Sequence, residues 1–225
     1  MPNLAIVGYG KMGRLVESLA SEFGFDVALK LDEFNNANFE ACTAENFRNI
    51  DVAIDFSIPS AVVRNVEKIS AFQVPMVIGT TGWQEHAAEV RRTIEKNDSA
   101  LVWSPNFSIG VNAFLKIVAE AARLLAAEPE YGAWAWEIHH STKKDAPSGT
   151  LLKLIDAMTK AGYERTIDVS SNRAGKHPGT HEIGFDSGAD TITLRHTARS
   201  REGFARGALR AAQWIIGKKG FYEHP

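Results

Sequence analysis

Short apolar runs alternate with stretches of helical spacing through the first half of the chain. Leu4–Val7, Val27–Leu31, Val52–Ser57, the run PMVIG and the run ALVW read as strands. Between them, Leu15, Val16, Leu19 and Ala20 recur at helical spacing. Pro59 opens a helix to about Phe72, and another runs near Gln84 to Glu95. The strand ends fall at Gly8, Asp32, Phe56, Thr80 and Ser104, 24 residues apart each time. The residues at these intervals do not match, so the spacing is the length of one strand–helix unit and not a repeat. It predicts a Rossmann-type α/β fold, a parallel, doubly wound sheet. The Asn-rich stretch from Phe34 to Phe47 has no clear period and is expected to be a loop with one short helix.

The pattern changes after about Phe107, where a domain boundary is expected. A long apolar helix is predicted from Val111 to Ala127. After Pro129 strands dominate, with one further helix from Leu151 to Ala161. Strand candidates are Thr166–Ser171, His181–Ser187 and Thr191–His196, the last two joined by the turn Gly188-Ala189-Asp190. The expected result is a smaller α+β domain with a mixed, largely open sheet and helices on one face. A final amphipathic helix is predicted from Arg201 to Lys218.

Glycines add chemistry to the first strand–helix turn. Gly8, Gly10 and Gly13 stand as G-x-G-x-x-G, with a strand before and a helix after. In that context Gly8 makes the tight turn, Gly10 lets backbone approach a pyrophosphate, and Gly13 lets helix pack on strand. Asp32 ends the second strand, where an acid can take the ribose hydroxyls of NAD. Glu33 follows it, so two negative charges stand where NADP would put its 2′-phosphate. Lys11 and Lys30 partly offset them, and NADH is the expected preference over NADPH. Gly79, Thr80 and Thr81 combine small residues with hydroxyls, suited to close contact with a flat ring.

Composition is ordinary for a globular protein: 225 residues, 44% apolar, 23% charged. A net charge of −2 gives no electrostatic case for nucleic acid or an anionic membrane. No apolar run approaches the ~20 residues of a membrane span, and no signal peptide is evident. Cys42 is the sole cysteine, so no internal disulfide can form, and a reducing cytoplasm is the expected location. No metal is expected.

The densest chemistry lies in Trp136–Thr150, WEIHHSTKKDAPSGT. It begins as a strand and ends at a helix start, with Ser148 at the N-cap. Two histidines and two lysines lie between. Adjacent strand residues face opposite ways, so His139 and His140 are expected to have different roles. Cations before a helix N-terminus make a site for a carboxylate or phosphate. An ordinary basic turn would be solvated and would need no such helix start. His139 and Lys143 are the candidate proton donors; Lys144 is expected to be solvated and Asp145 to orient the loop.

This stretch resembles the dihydrodipicolinate reductase family, whose pattern is roughly E-x-H-H-x-x-K-x-D-x-P-S-G-T. Glu137, His139, His140, Lys143, Asp145, Pro147, Ser148, Gly149 and Thr150 match it without a gap. The loop GTTG, the segments R-x-G…P-G-T-H and His196-Thr197-Ala198, and the first glycine loop extend the resemblance along the chain. It implies reduction of 4-hydroxy-tetrahydrodipicolinate by NADH or NADPH on the diaminopimelate route to lysine. His139 is implied as proton donor and acceptor and Lys143 as proton donor. His140, Gly149 and Thr150 are implied to bind the dicarboxylate substrate. Cofactor contacts are implied at Gly8, Tyr9, Gly10, Lys11, Met12, Gly13, Asp32, Gly79, Thr80, Thr81, Ser104, Pro105, Asn106 and Phe107. The first loop departs from the family at Lys11, where arginine is common. The family's final helix returns to the nucleotide-binding domain, which implies domains of 1–106 with 200–225 and of 107–199, and a core position for Trp214. A homotetramer through the second-domain sheet is implied. The alternatives are a non-catalytic NAD(H)-binding regulator, which needs no histidine–lysine cluster, and another two-domain NAD(P)-dependent dehydrogenase.

Overall fold

Five strands of the first half lie in one sheet in the computed structural model, which describes residues 1–223. They are β1 (Asn3–Val7), β2 (Asp26–Leu31), β3 (Val52–Asp55), β4 (Met76–Ile78) and β5 (Ala100–Trp103). Between them run α1 (Lys11–Ala20), the short α2 (Ala44–Phe47), α3 (Pro59–Ser70) and α4 (Ala87–Lys96). The second half supplies α5 (Ile109–Leu125), β6 (Gly132–His139), α6 (Gly149–Lys160), β7 (Ile167–Arg173), β8 (Thr180–Asp186) and β9 (Thr191–Thr197). The chain then enters α7 (Glu202–Ile215) and β10 (Gly220–Glu223).

Two compact units result. One holds Met1–Ser108 and the chain from Glu202 on; the other holds Ile109–Arg201. In the first, the sheet order is β10-β5-β4-β3-β1-β2 and every pairing is parallel. Its inner strands are buried on both faces, as Val52–Asp55 shows, while β2 and β10 at the edges are partly exposed, and two cores form. Val16, Leu19 and Ala20 of α1 meet Ala205, Ala208, Leu209, Ala212 and Ile215 of α7 in one core. Val62, Val66 and Ile69 of α3 meet Val90 and Ile94 of α4 in the other. Burying each such branched side chain contributes roughly 1.5–3 kcal/mol before entropy is counted.

Two features differ from the sequence reading. The last helix stops at Ile215, and Gly217, with φ +78°, turns the chain into the sixth strand, β10, paired with β5. The sequence GFYE is half-exposed and lacks the apolar run that marks β3 and β5, so it was not foreseen. Trp214 is not core. It is 47% exposed and packs edge-on against Tyr222, with ring centroids 5.0 Å apart.

The second unit has a four-stranded mixed sheet, order β7-β6-β8-β9. β6 and β7 are parallel; β6–β8 and β8–β9 are antiparallel, the latter joined by the expected hairpin. Helices α5 and α6 cover one face, where Phe114, Val118, Leu151, Leu154 and Met158 pack on Ala133, Ala135, Ile183 and Phe185. Strand β6 alternates strictly: Ala133, Ala135, Glu137 and His139 face this core. The apolar half of that row packs. The polar half, at the strand's carboxyl end, makes the site.

Candidate active site

Loops following β1 to β5 lie along the carboxyl edge of the parallel sheet, where ligands bind in such folds. Gly8 has φ +88°, and a Cβ there would lie 2.5 Å from the Phe56 carbonyl oxygen. A Cβ on Gly13 would lie 2.4 Å from the Gly8 carbonyl oxygen. Packing therefore demands both. Gly10 is different, because nothing lies within 4 Å of where its Cβ would be. It is also the N-cap of α1, and no side chain caps that end. Open backbone with N–H groups at a helix start fits a phosphate. Lys11 is exposed and Met12 half-buried. Tyr9 donates its hydroxyl to Glu17, and Arg14 and Lys30 each lie 5.0 Å from its ring centroid. Lys30 is paired with Glu17 at 2.9 Å. Asp32 Oδ1 accepts the N–H groups of Phe34 (2.8 Å) and Asn35 (3.2 Å), which fixes the carboxylate at the end of β2. These residues suit a pyridine nucleotide.

Asp55, which the sequence reading passed over, ties these loops together. It is fully buried at the end of β3. Its Oδ1 accepts from Ser57 N–H (2.8 Å), Ser57 Oγ (2.7 Å) and Thr80 Oγ1 (2.9 Å), and Oδ2 accepts from Asn65 (2.8 Å). Burial pushes its pKa up, and these hydrogen bonds oppose the shift. A Cβ on Gly79 would strike the Phe56 ring at 2.1 Å, while Thr81 is exposed. Ser104 donates to the Asn106 carbonyl at 2.9 Å, and Pro105 and Asn106 are half-exposed. The Phe107 side chain lies inside the core, and its carbonyl would sit 1.7 Å from a Cβ on Gly207.

The second unit gathers a polar cluster across three strands and one helix start. Sheet register places Glu137 of β6 opposite His181 of β8, and His139 beside Arg173 of β7. Glu137 is fully buried. Its Oε1 accepts from Ser148 N–H (2.9 Å), Ser171 Oγ (3.0 Å) and Arg173 Nη2 (2.8 Å). Its Oε2 has no hydrogen-bond partner and faces His139 Nε2 at 3.3 Å and His181 Nε2 at 3.5 Å. The two imidazole Nε2 atoms are 3.2 Å apart, and Ser148 Oγ lies 3.2 Å from that of His181. Ser148 also caps α6 by accepting Leu151 N–H at 3.2 Å.

These contacts set the charges. Burial alone would raise the Glu137 carboxyl, but the donors from Ser148, Arg173 and Ser171 outweigh it and leave its pKa at about 2. Burial pushes His139 below the usual histidine value; Glu137 opposes that shift, while Lys143 and Arg173 add to it. Burial and the neighbouring His139 push His181 down to about 4. At neutral pH the cluster is one carboxylate, one guanidinium and two neutral imidazoles.

Beyond it, Lys143 Nζ donates to both oxygens of Asp145, at 2.7 and 2.9 Å. Lys143 is partly buried and Lys144 exposed, so the two lysines are not equivalent. The Asp145 carboxyl is held below its usual value first by Lys143, and the Gly149 N–H adds to this. Asp145 thus rests on an ammonium and a helix-start N–H, the groups a substrate carboxylate would use. His140 is half-exposed and shares a 2.8 Å hydrogen bond with Thr142 Oγ1. Gly149 and Thr150 form the first turn of α6. His139, His140, Lys143, Gly149 and Thr150 therefore surround one strand-to-helix turn. Sequence reasoning placed Ser148 as the helix N-cap but gave no role in the site to Glu137, Arg173 or His181. The available signal was the alternation of β6, which puts Glu137 and His139 on one face; the register that adds Arg173 and His181 is not written locally.

Comparison with known proteins follows the same lines. Two family profiles match, dihydrodipicolinate reductase N-terminus over residues 2–107 and C-terminus over residues 110–224. A 4-hydroxy-tetrahydrodipicolinate reductase of Christiangramia forsetii is 35% identical over 98% of this chain and 95% of its own. One of Methanosarcina mazei is 39% identical over 75% of this chain and 69% of its own. A dipicolinate-bound dihydrodipicolinate reductase from Paenisporosarcina sp. TG-14 superposes with TM-score 0.79 at 24% identity, covering 99% of this chain and 97% of that one. A myo-inositol dehydrogenase from Corynebacterium glutamicum does so with TM-score 0.56 at 13% identity, covering 98% and 90%. At such identities the two structures speak for the fold.

Proposed function

Because this chain belongs to the dihydrodipicolinate reductase family, we propose that it reduces 4-hydroxy-tetrahydrodipicolinate to tetrahydrodipicolinate with a nicotinamide cofactor, in the diaminopimelate route to lysine. The observation that carries the reading is His139, buried against the Glu137 carboxylate beside Lys143 and the start of α6. A non-catalytic nucleotide-binding protein has no use for a buried, charge-tuned histidine there.

Gly8 to Gly13, with Tyr9, Lys11 and Met12, hold the pyrophosphate side of the cofactor, and Asp32 holds a ribose. Gly79, Thr80, Thr81 and the Ser104–Phe107 segment flank the nicotinamide, which supplies the hydride when bound. The dicarboxylate substrate takes His140, Lys143 and the N–H groups of Gly149 and Thr150. Its carboxylate displaces Asp145 from Lys143. The incoming negative charge raises the proton affinity of His139, whose imidazolium the Glu137 carboxylate stabilises. His139 and Lys143 are then the groups that deliver the proton as charge builds on the substrate. The optical assay is oxidation of NADH with and without the product of the preceding synthase. Cofactor loss that needs no such product overturns the assignment.

The finer readings rest on this one. NADH is preferred, because Asp32 and Glu33 repel a 2′-phosphate and Lys30 is already paired with Glu17. Arg14, a cation that the sequence argument did not weigh, stands against this. The ratio of kcat/KM for the two cofactors decides it, and a clear NADPH preference refutes it. No helix among the described residues is long and apolar enough to cross a membrane, and Cys42 is buried and free, which suits a reducing cytoplasm. A homotetramer forms through the helix-free face of the second sheet, where Trp134, Trp136 and Ile138, which alternate with the core-facing residues of β6, are half-exposed. Sedimentation equilibrium measures this directly.

A further inference from the structure

We infer that Glu137, His139 and His181 form a binding site for one tetrahedral divalent cation of the zinc class, which inhibits the enzyme by occupying His139. Three donor atoms converge: Glu137 Oε2, His139 Nε2 and His181 Nε2. They are separated by 3.2, 3.3 and 3.5 Å. Zn–N and Zn–O bonds of about 2.0–2.2 Å at the tetrahedral angle place ligand atoms roughly 3.3–3.6 Å apart. An octahedral ion such as Mg²⁺, with bonds of about 2.0–2.1 Å, needs neighbouring ligands near 2.9 Å and prefers oxygen. Two imidazoles and one carboxylate select against Mg²⁺ and Ca²⁺ in any case.

A second observation is independent of the spacing. Glu137 Oε2 is buried and lacks a hydrogen-bond partner, while the other oxygen of the same carboxylate accepts three. Those three donors fix the carboxylate so that one bare anionic oxygen points at the imidazoles, the geometry of a monodentate ligand. The sheet register holds the histidine on β8 against the carboxylate on β6, so the donors are pre-organised. Ser148 Oγ, 3.2 Å from His181 Nε2, is placed to hydrogen-bond a fourth, water ligand. Arg173 and Lys143 are the cations facing the cluster, and they lower its affinity without altering its geometry. A metal on His139 Nε2 takes the lone pair a second ring proton would need, so the imidazolium cannot form. This consequence rests on the proton-donor role given to His139 above; the binding does not.

The test titrates Zn²⁺ into the full-length protein against a chromophoric chelator, then Co²⁺ with its visible spectrum, with turnover followed in parallel. One ion per chain and the intense bands of four-coordinate Co²⁺ are expected. His181→Ala should lower affinity by more than the roughly 10–100-fold typical of an outer-shell partner. Long-range ¹H–¹⁵N spectra of the wild-type protein should show Nε2 of His139 and His181 shifting with Zn²⁺, which decides the matter even if the variant does not fold. No saturable binding, a six-coordinate Co²⁺ spectrum, or unshifted His139 and His181 overturns the site. Binding at these nitrogens with undiminished turnover upholds the site but overturns the inhibition and, with it, the proton-donor role of His139.

Discussion

Lys143 and Lys144 are neighbours of like charge, and the difference between them is the sharpest statement at the scale of single residues. Lys143 is partly buried and grips Asp145; Lys144 is exposed. Lys143→Ala should lower kcat by about 10²–10⁴-fold, roughly 3–5 kcal/mol of barrier, and Lys144→Ala should change it little. Equal, mild effects in steady-state kinetics would return the turn to a solvated basic loop. Asp145→Asn should lower KM, since the carboxylate now resting on Lys143 no longer competes with the substrate; a raised KM would mean that Asp145 organises the loop instead. Gly179 has φ +140°, and a Cβ there would lie 2.9 Å from His139 Cε1. Gly179→Ala should therefore displace the ring, and a shift of about 1 Å can cost 10²-fold in rate. The candidate residues His139, His140, Lys143, Gly149 and Thr150 could be proposed from the sequence because one unbroken stretch contains them, whereas Arg173 and His181 join the cluster only through sheet register. Gly179 was legible only as part of a glycine-containing loop, because its reason lies in a ring 40 residues away in sequence.

Elements carry the next set of constraints. Strand and helix positions followed from apolar period almost throughout, since β1, β3, β4 and β5 are largely buried runs and α1, α3 and α7 are amphipathic. What period cannot show is which strand ends are tied together. Asp55 reads as an ordinary strand-end acid, yet it joins β3 to Thr80 beyond β4 and to Asn65 of α3. Asp55→Ala strands those donors at about 1–3 kcal/mol each where they stay buried, so a clear fall in Tm is expected. An unchanged Tm would show that water replaces the carboxylate. The pairing of β6 with β8 adds an acid sensitivity. Glu137 has its pKa depressed to about 2, so its contribution is complete above the unfolded value near 4.5 and is lost as pH falls toward 2. His181 is depressed to about 4, so the fold favours its neutral form, and stability falls as pH drops from about 6.5 to 4. Thermal melts between pH 7 and pH 4 should therefore fall steeply in the wild type and less steeply in His181→Gln. Parallel slopes would place the acid sensitivity elsewhere.

At the scale of the whole molecule, the chain divides into two compact units, and the two proposed binding regions fall in different ones. The glycine loop, Asp32 and the Asp55 tie belong to one unit; the histidine–lysine cluster belongs to the other. The sequence carries a change of pattern near Phe107, where a boundary was expected; the compact units divide after Ser108. Sequence alone could not show that β10 would complete the first sheet, because GFYE lacks the buried apolar run of β3 or β5 and takes its place only by pairing with β5. The proposed cofactor residues and the second cluster belong to different units, each with buried clusters of its own. Lys143→Ala, His139→Ala and His140→Ala should therefore bind NADH as the wild type does, while turnover falls for the first two and KM rises for the third. NADH fluorescence titration beside steady-state kinetics separates the two effects. A variant of the second cluster that loses NADH affinity severalfold, with its fold intact by circular dichroism, would show that the cofactor is held by both units. An intact NADH site with turnover abolished at His139 would place the chemistry in the second unit.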